Sequence, residues 1–309
     1  MNTIEQLNAR FGQNQTQGQS QGGALHFIQG EADLPVAVLR TAQAEARVML
    51  QGAQIIHYQV GEHAPIIWVG EEAKAIPGKS LRGGVPVCWP WFGAGADGQP
   101  AHGFARNLDW QVADTQADTN SVTLTLELLP SETSKKYWPH DFRLSLAVRL
   151  ADSLKMTLTT EHRGEEACTI TQALHTYLHV SDIAEVAITG LADTAFLDKT
   201  RDMLRDIQAE SVLRLNAETD RVYVDTDAEV VVEDPALQRR IHVRKQGSRS
   251  TVVWNPWDEK ADAFPDMRAD EYARMLCVET CNAADDKIQL APGESHCMVS
   301  EIVVTPLAK

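Results

Sequence analysis

The chain has 309 residues, of which 43% are hydrophobic and 23% are charged, and its formal net charge is −15 at pH 7. This composition predicts a globular protein whose core needs no disulfide or metal, and such an acidic chain is a poor partner for nucleic acids or anionic membranes. The sequence contains neither a secretory signal nor a run of about 18 apolar residues, so we expect a cytoplasmic protein without a transmembrane helix.

The first predicted element is a short helix over residues 3–11, with Thr3 as its N-cap. The segment 13–23 consists of Gln, Gly, Ser, Thr and Asn, which cannot bury apolar surface. We therefore expect residues 1–23 to form a short helix and a flexible Gln/Gly-rich linker. Residues 24–309 are expected to form a single folded domain.

The next informative stretch begins at residue 82. Residues 82–93 read Arg-Gly-Gly-Val-Pro-Val-Cys-Trp-Pro-Trp-Phe-Gly, and residues 102–106 read His-Gly-Phe-Ala-Arg. This mixture of Gly, Pro and aromatic residues predicts an irregular, rigid surface. Arg82 and Arg106 bracket it with planar donors suited to phosphate or carboxylate. The stretch indicates either a pocket for a small anionic ligand or a kinked sheet edge with aromatic core packing.

Strand patterns dominate after residue 24. Three runs alternate strictly between apolar and polar residues, which predicts strands with one buried and one solvated face. Short strands separated by Gly, Pro, Asn and Asp favour an all-β antiparallel sandwich or barrel over βαβ units. The alternating runs are Val122–Leu128, Leu144–Leu150 and Leu154–Leu158, and further strand-like runs are Cys168–Val180, Glu185–Ile188, Arg221–Val224, Glu229–Glu233, Ile241–Lys245, Ser250–Trp254, Met275–Thr280 and His296–Val304.

The run from Cys168 to Val180 contains an unusual polar pattern. In a continuous strand, His175, Tyr177 and His179 point to one face. Histidine titrates near neutral pH and can give or take a proton there. The alternative is an ordinary exposed polar face.

Two carboxylates, Glu279 and Asp220, each allow a functional and a structural interpretation. Glu279 lies within an apolar strand, where partial burial raises the pKa of a carboxyl and makes it a stronger base. The alternative is an edge-strand Glu that faces solvent. Asp220 either accepts hydrogen bonds from sugar hydroxyls or caps a turn.

The five cysteines are an odd number without Cys-x-x-Cys spacing, which predicts reduced thiols. Cys277 and Cys281 share a strand face with Glu279 and are interpreted as small buried hydrophobes. Zinc ligands could come from His102, His175, His179 and Glu279. However, no His-Glu-x-x-His motif occurs. His175 and His179 are four residues apart, a spacing that suits a metal only on a helix, whereas the pattern here favours a strand, so no metal is predicted.

Taken together, these segments resemble the glucose-6-phosphate 1-epimerase family, or hexose-6-phosphate mutarotases, which are relatives of the aldose 1-epimerases. Five segments occur in the family's order, and the resemblance covers residue 24 to the C-terminus but not the Gln-rich segment. They are residues 82–93, residues 102–106, Leu174–Tyr177, Trp254–Trp257 and Cys277–Glu279.

The resemblance implies a large antiparallel β-supersandwich of the galactose mutarotase type, acting as a catalytic domain. It implies interconversion of the α and β anomers of glucose 6-phosphate without cofactor or metal. By position, the implied roles are general acid for His175, general base for Glu279, ligand binding for Arg82 and Arg106 with phosphate as their natural partner, and contacts to the sugar for His102 and Asp220. Some members have a glutamine where this chain has Ala101, which leaves that ligand contact open.

This chemistry needs an ionised carboxylate and a protonated imidazole, which we expect on opposite sides of the C1–ring oxygen bond. Among Trp89, Trp91 and Phe92, at least two are expected in the core rather than in the pocket wall. The expected partner is a small hexose 6-phosphate bound by a monomer. Three alternatives stay open: an aldose 1-epimerase for unphosphorylated sugars, a non-catalytic sugar-phosphate-binding module, and a lyase or glycosidase on a similar sandwich.

Overall fold

The structure, a computed structural model, describes residues 3–13, 22–96 and 98–307. Most of the predicted linker, residues 14–21, lies outside the described residues. Within these ranges, three α-helices occur: α1 (Ile4–Phe11), α2 (Glu132–Tyr137) and α3 (Trp257–Asp262). Within the described part of the chain, no helix is long and apolar enough to cross a membrane.

The remaining elements are mainly strands. The first eleven are β1 (Ala24–Gln29), β2 (Pro35–Arg40), β3 (Ala44–Met49), β4 (Gln54–Val60), β5 (Val87–Cys88), β6 (Gln111–Ala117), β7 (Val122–Leu128), β8 (Phe142–Leu150), β9 (Leu154–His162), β10 (Cys168–Ile170) and β11 (Gln172–Leu174). The others are β12 (Tyr177–His179), β13 (Ala187–Thr189), β14 (Ala195–Asp198), β15 (Leu204–Ile207), β16 (Thr219–Tyr223), β17 (Val230–Asp234), β18 (Arg239–Gln246), β19 (Ser250–Asn255), β20 (Met275–Asn282), β21 (Ile288–Leu290) and β22 (Ser295–Pro306). Short 3₁₀ turns cover Glu31–Asp33, Ala105–Asn107, Lys199–Arg201, Glu271–Arg274 and Ala284–Asp286.

Two eight-stranded sheets form the body of the molecule. Sheet I has the order β15-β14-β16-β19-β20-β11-β5, with β12 also paired to β20, and sheet II has the order β13-β17-β18-β22-β9-β8-β7-β6. A four-stranded sheet, β1-β2-β3-β4, and the pair β10-β21 complete the fold. Their pairings are antiparallel. The prediction of a large antiparallel β-supersandwich is confirmed.

The main core lies between the two large sheets. The alternating runs of β7, β8 and β9 bury every second residue, as predicted. Their buried residues, such as Leu124, Leu146 and Leu158, belong to the same apolar cluster as Val253 and Val278 of sheet I. Burial of this continuous apolar surface is the main favourable contribution to folding.

Strand β20 is buried along its whole length. Leu276 and Val278 face the main core. Cys277 and Cys281 belong to a second apolar cluster, and Glu279, which alternates with Val278, lies on that same second face. This central position excludes the edge-strand alternative for Glu279. It also confirms that the two cysteines are free, buried thiols.

Helix α1 packs against the sandwich. Gln6 donates its backbone N–H to the Thr3 side chain, which caps the helix as predicted. The apolar face of the helix buries Leu7 and Phe11 in the main core, and Asn8 exchanges two hydrogen bonds with the backbone of Phe27. Helix α1 therefore contributes to the folded unit, although it precedes the predicted boundary at residue 24.

The segment from Arg82 to Arg106 is irregular, and β5 is its one short strand among the described residues. Gly84 and Gly103 adopt φ values of 70° and 74°, and a β-carbon at either position would collide with a neighbouring backbone carbonyl. Trp89 is fully buried in the core and Trp91 packs against it. The expectation that at least two of the three aromatic residues lie in the core is confirmed.

The predicted continuous strand from Cys168 to Val180 is wrong. Three short strands occur instead, and His175 and Thr176 lie in a kink between β11 and β12. The Thr176 N–H donates to the Leu174 carbonyl two residues back, which turns the chain locally. His175 and Tyr177 still stack on each other, with ring centroids 4.8 Å apart. His179 lies elsewhere, near Arg239.

Candidate active site

A cavity of about 480 Å³ opens on the face of sheet I that lies opposite the main core. It is lined by all six residues that the sequence analysis selected. They are Arg82, His102, Arg106, His175, Asp220 and Glu279.

Strand register explains why His175 and Glu279 meet. In the antiparallel pairings of β20, Leu174 lies opposite Thr280 and Tyr177 opposite Cys277. The same register carries through the kink and places His175 across from Glu279. The His175 Nε2 atom lies 3.3 Å from Glu279 Oε1. Both side chains are buried.

Three rings fix the orientation of the His175 imidazole. Tyr177 stacks on it, while His102 and Trp254 approach edge-on with centroid distances of 5.8 and 5.9 Å. The His175 backbone N–H donates to the Pro86 carbonyl. This packing holds the ring beside the carboxyl group, as an acid–base pair requires.

Burial shifts the pKa values of His175 and Glu279 in opposite directions. It raises the pKa of Glu279 well above its ordinary value, and the nearby Asp220 carboxylate adds to this effect. Burial lowers the pKa of His175 well below its ordinary value, and the positive charge of Arg106 and the neighbouring His102, which opposes a second imidazolium beside it, add to this effect. The pair therefore holds one proton over a wide pH range, and the neutral carboxylic acid beside a neutral imidazole is favoured.

The contact bears on the expected protonation states. The chemistry needs an ionised carboxylate and a protonated imidazole, whereas burial opposes both charges in two groups that touch; their placement on opposite sides of the reacting bond stays a prediction. The carboxylate–imidazolium pair and the acid–neutral imidazole pair contain the same single proton. The arrangement can therefore still supply one acid and one base to two neighbouring oxygen atoms.

Arg82 is held by its neighbours. Its Nη2 and Nε atoms lie 3.1 Å from one carboxylate oxygen of Asp266. Its guanidinium lies 4.3 Å from the centre of the Phe264 ring. Burial opposes the charge of Arg82, but the Asp266 carboxylate and the hydrogen bonds to Asp266 and Tyr177 outweigh it and raise the pKa of Arg82.

Arg106 differs from Arg82 because it has no carboxylate partner among the described residues. Its Nη2 donates to the Ala101 carbonyl at 2.9 Å, so the backbone, not the side chain at position 101, supports it. Its Nε is buried without a hydrogen-bond partner in the described part of the chain. Arg106 therefore offers the least neutralised guanidinium of the cavity.

His102 contributes a neutral donor. Its backbone has φ of 62°, a strained value for a non-glycine residue. The Gly93 N–H donates to its Nδ1, which leaves the proton on Nε2. Burial, with the neighbouring charges of Arg106 and Lys199, lowers the pKa of His102 to about 3.

Several buried polar atoms of the cavity residues lack a protein partner. Such atoms cost free energy unless a ligand or water satisfies them. Considering the described residues, the unpartnered atoms are Arg106 Nε, His175 Nδ1, Asp220 Oδ1 and Glu279 Oε2. Four of the six predicted residues thus carry unused hydrogen-bonding capacity, which is typical of a polar ligand site.

The metal ligands considered from sequence are not brought together as a set. His175, Cys277 and Glu279 have donor atoms within 4.8 Å of one another, but His179 lies outside the cavity lining. Burial raises the pKa of Cys277 well above its ordinary value, and the charge of Glu279 raises it further. The absence of a metal stays a prediction.

Sequence reasoning missed several cavity residues. Lys199 forms an ion pair of 2.9 Å with Asp220, Lys260 forms one of 2.6 Å with Glu218, and Asp266 holds Arg82. Phe264 and Trp254 complete the apolar part of the wall. Lys199 and Asp266 lie in turns and Lys260 in helix α3, with no distinctive local pattern, so only the tertiary structure selects them. Trp254 belongs to the segment Trp254–Trp257 that the sequence analysis singled out, but its place in the wall was not predicted.

Comparisons with known proteins find relatives of this chain in sequence and in fold. A curated Escherichia coli K12 protein named "Putative glucose-6-phosphate 1-epimerase" is 39% identical over 82% of this chain and 85% of its own length. A crystal structure described as a "putative mutarotase" from Salmonella typhimurium is 32% identical, covers 98% of this chain and 99% of its own, and has a TM-score of 0.85. A galactose mutarotase-like protein from Clostridium acetobutylicum, 15% identical over 91% of this chain and 98% of its own, shares the fold with a TM-score of 0.70.

The sandwich and the relatives that share it define an enzyme of the sugar mutarotase class. The aldose 1-epimerase family model matches residues 35–302, and the chain belongs to this family. Membership implies a small sugar substrate and an epimerase activity.

Proposed function

We propose that this protein interconverts the α and β anomers of glucose 6-phosphate. The observation that carries the proposal is the 3.3 Å contact between His175 and Glu279 inside a cavity whose wall includes Arg82 and Arg106. The relative named for this activity is the 39% identical protein described above. A monomeric state and a cytoplasmic location stay predictions.

The reaction needs two proton transfers at one carbon. Glu279 removes the proton from the C1 hydroxyl, His175 protonates the ring oxygen, and the C1–ring oxygen bond breaks to give an aldehyde. Rotation about C1–C2 presents the other face, and the reverse transfers close the ring and restore both groups. Since both oxygens are bonded to C1, an acid and a base in mutual contact can reach both.

The order of strands across sheet I matches the order of atoms in the substrate. Arg82 and Arg106 flank β5, His175 follows β11, Glu279 lies on β20 and Asp220 on β16. In glucose 6-phosphate, the phosphate-bearing carbon, the ring oxygen, the C1 hydroxyl and the C2–C3 hydroxyls follow in this order. The phosphate therefore lies beside the arginines when the ring oxygen meets His175.

The phosphate also assists the chemistry. The positive charges of Arg106 and Arg82 contribute to the lowered pKa of His175. A phosphate dianion offsets these charges and raises that pKa. Binding of substrate thus moves the shared proton toward the imidazole and leaves Glu279 as the base.

Replacing Arg106 by methionine is expected to raise KM for glucose 6-phosphate by about 10- to 100-fold, the range for a lost charge-assisted hydrogen bond. Arg82→Met is expected to cause a smaller rise, because Asp266 already neutralises Arg82. KM for glucose is expected to change little in both variants. Two-dimensional exchange NMR with both sugars measures these effects. Arg244→Met, at an ion pair on sheet II, is the control, and an equal rise for glucose would reject the phosphate role.

The exchange rate is expected to fall at alkaline pH. Below the lowered pKa of His175 both groups are protonated and no base remains, and above the raised pKa of Glu279 both are deprotonated and no acid remains. The alkaline limb therefore lies well above the ordinary carboxyl range. Above about pH 7 the substrate phosphate is a dianion and does not contribute to this limb. Measuring kcat/KM, which reports the acid and base of the free enzyme, from pH 7 to 10 tests this, and a value that keeps rising over that range contradicts it.

A further inference from the structure

We infer that Lys199 is a specificity-determining residue that, together with Asp220, recognises the vicinal hydroxyls at C2 and C3 of the hexose. This inference rests on the proposed function and assigns a role to a residue outside the five resembling segments. It concerns the part of the cavity formed by β14 and β16.

The turn after β14 positions the Lys199 side chain next to Asp220. Asp198 accepts hydrogen bonds from the backbone and side chain of Thr200 and from Arg201, which fixes the turn Lys199–Arg201. Asp198 lies opposite Arg221 in the β14–β16 pairing, so the next residue, Lys199, lies beside Asp220. The Lys199 Nζ atom is 2.9 Å from Asp220 Oδ2.

This ion pair leaves two N–H donors of Lys199 and one acceptor oxygen of Asp220 for a ligand. Asp220 Oδ1 is buried without a hydrogen-bond partner among the described residues. The ammonium group has three N–H donors, and Asp220 occupies one of them. Each sugar hydroxyl can donate and accept, so adjacent hydroxyls match an adjacent carboxylate and ammonium.

The location of the pair selects which hydroxyls it meets. Strand β16 is separated from β20 by β19, about 10 Å in all at the usual strand spacing. Asp220 lies opposite Trp254, and Trp254 lies opposite Cys277. Cys277 is two residues before Glu279 in β20, on the same face of the strand. With the C1 hydroxyl at Glu279 and the phosphate at the arginines, the C2 and C3 hydroxyls point toward β16.

Lys199 is also held on the side of the cavity that faces its opening. Its ammonium lies 6.0 Å from the centre of the Phe92 ring, and Phe92 packs against His102. Its side chain is 34% exposed, whereas that of Asp220 is 12% exposed. Asp220 therefore contacts the sugar from below and Lys199 from the rim, which allows both to bind the same pair of hydroxyls.

A substrate–variant cycle tests the inference. The ratio of kcat/KM between wild type and Lys199→Met is measured for glucose 6-phosphate and for its 2-deoxy, 3-deoxy and 4-deoxy analogues. We expect a loss of about 10- to 100-fold for glucose 6-phosphate and for the 4-deoxy analogue. At least one of the 2-deoxy and 3-deoxy analogues is expected to show a much smaller loss, because the hydroxyl bound by Lys199 is already missing.

Equal losses for all four substrates would overturn the inference, since they indicate a merely structural role. A reduced loss for the 4-deoxy analogue alone would also overturn it, because Lys199 would then bind the C4 hydroxyl and not those at C2 and C3. Arg205→Met is the control: Arg205 lies on the neighbouring strand β15, outside the cavity lining, with its side chain near Asp285, and this variant is expected to show no dependence on the analogue. Wild type that fails to accelerate exchange of glucose 6-phosphate would instead reject the proposed function.

Discussion

Replacing Glu279 by glutamine is expected to lower kcat for anomer exchange of glucose 6-phosphate by about 10²- to 10⁴-fold, the usual contribution of a positioned proton transfer. Glutamine keeps the size of the side chain and its contact with His175 but can neither take nor give the proton. Binding of glucose 6-phosphate is expected to persist. Two-dimensional exchange NMR measures the rate and calorimetry measures the binding.

The same substitution has an expected effect on stability. Because the folded protein raises the pKa of Glu279, the unfolded chain loses this proton at lower pH, and the free energy of unfolding falls as pH rises between the two pKa values. Glutamine removes this cost, so Glu279→Gln is expected to have a Tm at pH 8 at least as high as wild type. Glu301→Gln, at a carboxylate on sheet II that accepts from Ser153, is the control for the chemical change. A Glu279→Gln variant with wild-type exchange would contradict the base role of Glu279.

Replacing His175 by alanine is expected to lower kcat by a similar factor of about 10²- to 10⁴-fold. The substitution also opens a space between Tyr177, His102 and Trp254, which surround the imidazole. Free imidazole is therefore expected to enter this space and restore part of the rate. The measurement is the exchange rate as a function of imidazole concentration.

His179→Ala is the matched control, since His179 is two strand positions beyond Tyr177 and outside the cavity lining. It is expected to keep wild-type exchange and to gain nothing from imidazole. Wild-type exchange in His175→Ala would contradict the acid role of His175. Loss of exchange without imidazole rescue, in a variant with a normal Tm, would show that the ring acts by positioning other groups.

Some of the site could be predicted because its residues stand out locally. Glu279 is a charged residue inside an apolar strand, and His175 lies in a hydrophobic run. Arg82 and Arg106 bracket a segment in which Gly and Pro exclude regular structure. Such residues depart from the local sequence pattern, and departures of this kind occur mainly at functional or strained sites.

Other parts of the site depend on details that local patterns do not contain. The kink at Thr176 interrupts the period of two, which is why His179 does not join His175 and Tyr177 on the cavity face. The pKa directions of His175 and Glu279 depend on complete burial by segments far away in the chain. The contact between the two groups likewise depends on the pairing of β11 and β12 with β20.

By itself, the sequence determined the all-β class, the alternating strands of sheet II, the capped N-terminal helix and six residues that line the cavity. The tertiary structure decided the strand order, the register that places His175 opposite Glu279, and the recruitment of Lys199, Lys260 and Asp266. The physical reason is that hydrophobic periodicity specifies which face of a strand is buried, but not which distant strand lies beside it. That choice depends on packing of the whole core, and the core alone brings these charged groups together.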